Sequence, residues 1–174
     1  MIIGTNAVGK SSLARELINR AGGIAYVANR TTYCNDNKTA VLGDYSKHKN
    51  IEGVDAFGET KCLSELIKQT GREIVVFEGL KCGTFGLSIN KALFENSGGQ
   101  IIIFLYASAK TINERLKERS GTGIKTKAVL TQQKCNLRAA LKYKEIGVKV
   151  VSFNTDEIST KEIADNVEQL ISEE

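Results

Sequence analysis

The chain of 174 residues has no proline and no tryptophan, a single histidine, and four cysteines that stand far apart. Without a proline-rich or low-complexity stretch the sequence offers no linker, so we predict one domain over residues 1–174. The cysteines form no C-x-x-C pair and the histidine has no cysteine nearby. This spacing argues against a zinc site and favours reduced thiols.

Long hydrophobic runs are also missing. The longest, residues 101–107, is far shorter than the roughly 20 residues that a membrane span needs. The chain also does not open on a charged and then apolar targeting segment. We therefore expect a protein without membrane contact that works in the cytoplasm, or in the host cytoplasm if the chain is viral.

The formal net charge is only +4, but one stretch is rich in basic residues, with Lys117, Arg119, Lys125 and Lys127 close together. Such a cluster either handles phosphates or contacts nucleic acid. Charge alone leaves both interpretations open.

The most informative segment is residues 4–11, which read G-T-N-A-V-G-K-S and fill the pattern G-x-x-x-x-G-K-[ST] at every position. An apolar run precedes them and a helical pattern follows, as a phosphate-binding loop requires. Loop and helix N–H groups can then converge on phosphate oxygens, Lys10 can reach the β- and γ-phosphates, and Ser11 can coordinate Mg²⁺. The cofactors predicted are ATP and Mg²⁺. The predicted nucleotide contacts in the loop are Gly4, Asn6, Ala7, Val8, Gly9, Lys10, Ser11 and Ser12.

Apolar β-rich runs alternate with helical patterns along the chain, which predicts a parallel sheet covered by helices. The predicted strands are residues 2–3, 24–28, 74–77, 101–106 and 148–153. The predicted helices are residues 11–21, 58–70, 109–119, 126–146 and 159–172. We expect an α/β protein with three α/β/α layers and a five-stranded parallel sheet. Residues 29–57 are polar and aromatic, and we interpret them as an acceptor-side insertion in which residues 40–42 could add a short strand.

Other classes of phosphate-loop protein fit the sequence less well. Residues 55–58 match the D-x-x-G of a GTPase, but they do not follow a strand and no N-K-x-D is present. Residues 96–100 look like the signature of transporter-type ATPases, but the strand after them contains no acid. Glu78 instead ends the buried strand 74–77, at the edge where parallel strands meet their ligand. It is the candidate for holding Mg²⁺ through water, although a strand-end glutamate without a role is the alternative.

Two arginines, Arg115 and Arg119, lie four residues apart and hence on one helical face. Their guanidinium forks suit the charge of a transferring phosphoryl group. This arrangement resembles the lid of nucleotide and metabolite kinases in the phosphate-loop kinase family, so residues 109–146 are predicted to be lid-like, with Arg138 as a further candidate for binding substrate. A solvated basic helix is the alternative. After the last strand, Asn154 stands where such kinases seat adenine.

Two further blocks, G-D-Y at residues 43–45 and E-G-V-D-A-F at residues 52–57, resemble the G-x-Y and G-G-x-D-x-[FY] blocks of bacteriophage phosphate-loop kinases, with Glu52 in place of the first glycine of the second block. Some of these act on 5-hydroxymethyluracil within DNA. The resemblance implies that Asp55 is the catalytic base and that aromatic residues stack on an extruded base. The predicted substrate-binding residues are Arg30, Tyr33, Asp44, Tyr45, Phe57 and Arg138. The aromatic residues could equally belong to the core or line a pocket for a free nucleotide.

The sequence thus predicts an ATP- and Mg²⁺-dependent kinase in which Lys10, Asp55, Arg115 and Arg119 act in catalysis. The leading acceptor is 5-hydroxymethyluracil in phage DNA, which makes the partner a nucleotide or DNA. A deoxynucleoside monophosphate kinase is the alternative. A nucleotide-binding switch without phosphoryl transfer is the third reading. Oligomeric state and the choice between ATP and GTP stay open.

Overall fold

The computed structural model describes residues 1–47, 53–57, 63–83, 86, 94, 98–123 and 125–173, with the backbone alone at residues 56, 57 and 81. The described strands are β1 (Ile2–Ile3), β2 (Ile24–Ala28), β3 (Thr31–Cys34), β4 (Thr39–Leu42), β5 (Ile74–Phe77), β6 (Ile101–Tyr106) and β7 (Lys149–Asn154). The helices are α1 (Lys10–Arg20), α2 (Leu63–Thr70), α3 (Ala109–Ser120), α4 (Thr126–Glu145) and α5 (Thr160–Ser172), with short 3-10 helices at Gly53–Phe57 and Lys81–Gly83. None of these described helices is both long and apolar enough to cross a membrane.

The strands form two sheets that meet at one point. The first is fully parallel and has three strands in the order β1-β6-β7. The second has four strands in the order β2-β3-β4-β5, in which only β4 and β5 run parallel. Among the described residues, one parallel bridge, between Ile2 and Glu78, connects β1 to the end of β5. The residue after β5 is therefore held directly beside the strand that leads into the phosphate loop.

The expectation of one five-stranded parallel sheet is wrong. The parallel sheet has three strands, and the predicted strand 24–28 instead forms an antiparallel hairpin with β3. The turn of this hairpin places Asn29 and Arg30 at positive φ, 49° and 59°, as a tight two-residue turn requires. The strand that pairs with β5 is β4, from within the segment that we interpret as an insertion. A run such as I-A-Y-V-A has the same pattern on an exposed edge as in a buried parallel strand. The pattern therefore predicted the strand correctly but not the sheet to which it belongs.

Most other boundaries agree with the sequence pattern. Strands 2–3, 74–77 and 101–106 are found as expected, and the last strand begins one residue late, at Lys149. The described part of the predicted helix 58–70 is α2, and residues 58–62 lie outside the described residues. Local periodicity was therefore sufficient for the helices and for the central strands.

Two hydrophobic clusters lie on opposite faces of the sheets. Ile2 belongs to the cluster that packs under α1 and α5, whereas its neighbour Ile3 belongs to the cluster under α2 and α4. This alternation follows from the two-residue period of a strand. Helices therefore cover both faces, in the α/β/α layering expected, and both clusters contain residues from both sheets, for example Val41 with Ile103 and Leu42 with Ile102.

Candidate functional site

The loop between β1 and α1 is shaped to receive an anion. No side chain caps the start of α1 and its first turn contains no acidic residue, so the positive end of the helix dipole is left for a ligand. Gly9 precedes the helix at φ 93°, a conformation that favours glycine. Gly4 passes so close to β6 that a Cβ there would lie 2.5 Å from the Leu105 carbonyl oxygen. Steric constraints therefore explain why both motif positions, Gly4 and Gly9, are glycine.

A cavity of about 520 Å³ opens over this loop, a size typical of small-molecule sites. Its lining combines backbone donors with groups of both charges. The lining residues are Asn6, Ala7, Val8, Gly9, Lys10, Ser11, Ser12, Asp55, Glu78, Arg115, Arg119, Thr155, Ile158, Ser159 and Thr160. The structure thus brings most of the predicted nucleotide, metal and catalytic residues to one place.

Glu78 is the most constrained carboxylate in the cavity. It is buried, and its Oε1 accepts hydrogen bonds from the hydroxyls of Ser11 (2.9 Å) and Tyr45 (3.0 Å). Burial raises the pKa of Glu78, while the charge of Lys10 and these two hydrogen bonds favour the ionised form. The same burial lowers the pKa of Lys10, against the attraction of Glu78 and Asp55. Lys10 itself donates to the Thr5 carbonyl (2.9 Å).

These oxygen donors fit Mg²⁺. Within the described ranges no three or more His, Cys, Asp or Glu residues are grouped to hold a metal. Magnesium usually takes only one or two carboxylates and completes its shell with water and substrate phosphates. Ser11 Oγ and the Glu78 carboxylate, already within hydrogen-bond distance, are the pair that could hold it.

Asp55 reaches the cavity because residues 53–55 interlock with residues 78–80. The Val54 N–H donates to the Glu78 carbonyl (2.9 Å), and the Leu80 N–H donates to Asp55 Oδ2 (2.5 Å). A Cβ on Gly53 would lie 2.4 Å from that same Glu78 carbonyl, and a Cβ on Gly79 would lie 2.8 Å from Asp55 Oδ1. The two glycines therefore permit the close approach that fixes the carboxylate.

The G-D-Y block belongs to the same packed unit. A Cβ on Gly43 would lie 2.7 Å from both the Gly53 nitrogen and Tyr45 Cε2. Tyr45 is only 1% exposed and donates to Glu78. Its ring is therefore part of the core and supports the carboxylate, which corrects the stacking role predicted for it.

The two arginines of α3 both line the cavity but differ in their contacts. Arg115 donates to the Ala7 carbonyl (3.3 Å) and to both the hydroxyl and the carbonyl of Thr155 (3.0 Å each). Arg119 is exposed and makes no hydrogen bond with the described residues. Arg115 thus braces the phosphate loop against the loop after β7, and Arg119 is the arginine that can turn to a phosphoryl group.

The loop after β7 contacts the cavity one residue later than expected. Asn154 is the last residue of β7, and its Oδ1 accepts the N–H of Asp156 (3.2 Å), while Thr155 provides the lining. Asp156 in turn accepts the N–H of Ser108 (2.7 Å). Burial opposes its ionisation, but hydrogen bonds from Ser108 and Thr111 outweigh this and lower the pKa of Asp156.

Several predicted substrate residues lie away from the cavity. Tyr33 stacks on Tyr26 with ring centroids 4.6 Å apart, and the Arg72 guanidinium lies 5.4 Å from its ring. Arg30 is exposed in the β2–β3 turn, where its carbonyl accepts the Gly43 N–H (2.8 Å). Asp44 accepts from both the N–H and the hydroxyl of Ser46.

Two more predicted residues need separate mention. Arg138 lines a second cleft, of about 420 Å³, together with Gly83 and residues of α4. It is therefore not brought to the phosphate loop. The side chain of Phe57 lies outside the described residues.

Sequence reasoning missed the start of α5 as part of the site. Ser159 and Thr160 line the cavity, and Ser159 forms a capping box with Glu162. The S-x-x-E spacing at residues 159–162 marks a helix start directly after the last strand. That signal was present, but only the fold places this helix start over the phosphate loop.

A model of the AAA domain family, a family of P-loop NTPases, matches residues 1–137. This chain belongs to the AAA domain family. The match spans the phosphate loop, the Gly53–Asp55 block, Glu78 and both arginines of this AAA domain. No curated protein sequence matches the chain.

Solved structures resemble this chain over nearly its whole length. YorR protein from Bacillus subtilis, in complex with phosphorylated GDP, is 14% identical, with 99% of this chain and 96% of that chain covered and a TM-score of 0.58. Deoxyadenosine kinase from M. mycoides, with dCMP and dCDP bound, is 16% identical, with 100% of each chain covered and a TM-score of 0.55. The same kinase with dCTP gives a TM-score of 0.52 at 16% identity, with 99% of this chain and 100% of that chain covered. At these identities the likeness shows the fold.

Proposed function

We propose that this protein is an ATP- and Mg²⁺-dependent kinase that transfers the γ-phosphoryl group to a hydroxyl of a nucleotide substrate, with 5-hydroxymethyluracil in DNA as the leading acceptor. One observation carries the proposal. The interlock between residues 53–55 and 78–80 brings Asp55 into the cavity that also contains Lys10, Ser11 and Glu78. A phosphate site, a metal pair and a separate carboxylate are the groups that phosphoryl transfer to a hydroxyl requires.

Each residue then has a role that follows from its position. The loop N–H groups and Lys10 bind the β- and γ-phosphates, and Ser11 and Glu78 would hold Mg²⁺. When bound there, Mg²⁺ would supply positive charge that offsets the negative charge of the phosphates. Asp55 accepts the proton of the acceptor hydroxyl while the oxygen of that hydroxyl bonds to the γ-phosphorus. The bond from that phosphorus to the bridging oxygen breaks, and ADP leaves while Arg119 stabilises the equatorial charge.

The choice of acceptor rests on the block that resembles phage kinases. Gly43, Tyr45, Gly53 and Asp55 form one packed unit against Glu78. These residues are the ones that resemble the phage kinases. Their joint packing therefore supports the same acceptor, 5-hydroxymethyluracil in DNA, for this chain. The alternative is a deoxynucleoside monophosphate kinase, favoured by the solved neighbour that contains dCMP and dCDP.

A transfer assay with labelled ATP tests the proposal. The acceptors are hydroxymethylated DNA, ordinary DNA and free deoxynucleoside monophosphates. We expect label in hydroxymethylated DNA alone, and a fall in kcat of about 10²-fold or more in Asp55→Asn with ATP affinity retained. Asp36→Asn is the matched control, because Asp36 lies in the β3–β4 turn and does not line the cavity.

Three results would contradict parts of the proposal. Label in free monophosphates with none in DNA moves the assignment to the alternative acceptor. A parallel loss of ATP affinity in Asp55→Asn places Asp55 with the metal instead of the acceptor. Absence of transfer to every acceptor, with nucleotide bound, identifies a switch.

A further inference from the structure

On α3 and α4, two groups of basic residues differ in their position relative to the cavity. Arg115 and Arg119 line the phosphate cavity. Lys127, Lys134, Arg138 and Lys142 lie on α4, are exposed, and do not line that cavity. Phosphoryl transfer therefore accounts for the first group only, and the second group needs another explanation.

The charge of this region is far from balanced. Residues 109–149 contain eleven lysines and arginines against three glutamates, which leaves 13 basic and 17 acidic residues for the rest of the chain. Within α4 itself there are five basic residues and one acidic residue. A surface of one sign on a chain whose remainder is acidic attracts a polyanion.

Four of the five basic residues of α4 form a line along the helix. Steps of seven, four and four residues keep Lys127, Lys134, Arg138 and Lys142 on one helical face. At 1.5 Å per residue the line is about 22 Å long, with successive charges roughly 6–10 Å apart. Such a row matches the extended, regularly charged backbone of a nucleic acid better than any single phosphate.

One end of the line lies near the carboxyl edge of the parallel sheet. The Gln133 side chain donates to the Ala107 carbonyl, just after β6, and Val129 packs in the hydrophobic cluster under α1. This half of α4 is thus fixed beside the carboxyl edge of the sheet, where the cavity lies. The other half leads through residues 146–148 to the start of β7 at the opposite edge.

Three leucines share the exposed side of α4: Leu130, Leu137 and Leu141, at 45%, 46% and 51% exposure. They could pack against a second copy of the chain. However, pairing α4 with another α4 would bring two sets of like charges together, which is unfavourable. The charge therefore favours an anionic partner over a second copy.

We propose that the line Lys127, Lys134, Arg138 and Lys142 binds the phosphate backbone of a DNA substrate and directs the strand toward the phosphate-transfer cavity. This inference rests on the proposed function, because it assumes that the acceptor is part of DNA. Contacts with the backbone position a strand without reading its sequence. The same surface should therefore bind DNA with and without the modified base.

Binding of a labelled DNA duplex of about 20 base pairs, measured by fluorescence anisotropy over a range of salt concentrations, tests this surface. We expect the double variant Lys127→Ala/Lys134→Ala to lose about tenfold or more in affinity and to lower the salt slope by about 2. ATP affinity should stay unchanged. The control Lys38→Ala/Lys161→Ala removes the same charge from other exposed positions and should bind DNA as the wild type does.

Equal losses in both double variants, or unchanged DNA binding in Lys127→Ala/Lys134→Ala, would overturn the docking surface. The docking surface would also be overturned if the protein self-associates and Leu137→Lys abolishes self-association while DNA binding by that variant stays intact. This face of α4 would then be an interface between copies. The two proposals fail separately. DNA binding through α4 without transfer to DNA contradicts the acceptor, whereas transfer to hydroxymethylated DNA with DNA affinity unchanged in Lys127→Ala/Lys134→Ala contradicts the docking surface.

Discussion

At the scale of single residues, the site depends on the ionisation of Glu78. Its pKa is raised by burial, and the hydroxyls of Ser11 and Tyr45 partly offset this effect. In the proposed mechanism metal binding requires the carboxylate, so the proposed Mg²⁺-dependent activity should fall as the pH drops through this raised pKa. The loss should begin at a higher pH than an ordinary glutamate would give.

Tyr45→Phe tests this dependence. The variant removes one donor to the Glu78 carboxylate, which raises the pKa further and should move the acid limb of kcat/KM to higher pH. Activity on the high-pH plateau should be nearly kept. Tyr143→Phe is the control, since Tyr143 is equally buried but packs in the other cluster. An unmoved acid limb in Tyr45→Phe would show that Glu78 does not set it.

The pH dependence of stability has the opposite sign. A carboxyl with a raised folded pKa binds its proton more tightly in the folded than in the unfolded state. Without metal, the contribution of Glu78 to the free energy of unfolding is therefore lost as the pH rises through the folded pKa. Mg²⁺ with nucleotide should restore stability in that range, because it binds the ionised form.

At the scale of elements, the site depends on the packing of the first 3-10 helix against the end of β5. A Cβ on Gly79 would lie 2.8 Å from Asp55 Oδ1 and 2.9 Å from Val54 Cγ2. Gly79→Ala should therefore displace Asp55, cost about 1–3 kcal/mol of stability and lower kcat, with ATP affinity largely kept. Denaturant unfolding, kcat and nucleotide titration measure the three effects.

Gly123→Ala is the matched control for this prediction. Gly123 has no positive φ, and the atoms nearest its added Cβ belong to flexible side chains, Lys117 at 3.3 Å and Asn113 at 3.4 Å. It should remain close to wild type in all three measurements. Full activity in Gly79→Ala would mean that Asp55 does not need this position for catalysis.

At the scale of the whole molecule, the two sheets share one interior. In the part of the chain that the structure describes, the Ile2–Glu78 bridge alone joins their strands, but both hydrophobic clusters contain residues from both sheets. We therefore expect a single cooperative transition in calorimetry without ligand. Saturation with nucleotide and Mg²⁺ at about 100 times Kd should add about 2.7 kcal/mol. Two separate transitions would show that the sheets unfold independently.

The sequence by itself determined the parts that depend on neighbouring residues. The motif at residues 4–11 predicted the loop that holds Lys10 and Ser11, because strand, turn and helix N-terminus must follow one another directly. The strand 74–77 predicted the position of Glu78 for the same local reason. Helices α1, α3, α4 and α5 followed from their hydrophobic periodicity.

Only the tertiary structure decided what depends on distant segments. Whether I-A-Y-V-A or T-A-V-L pairs with β5 is set by burial and pairing across the sheet, which a short apolar run does not encode. Tyr45 became a support for Glu78 because β4 delivers it to the interior, and Arg138 was separated from the site because α4 runs away from the cavity. The sequence was compatible with a substrate contact or with another position for each of these side chains, and long-range packing determined which one is found.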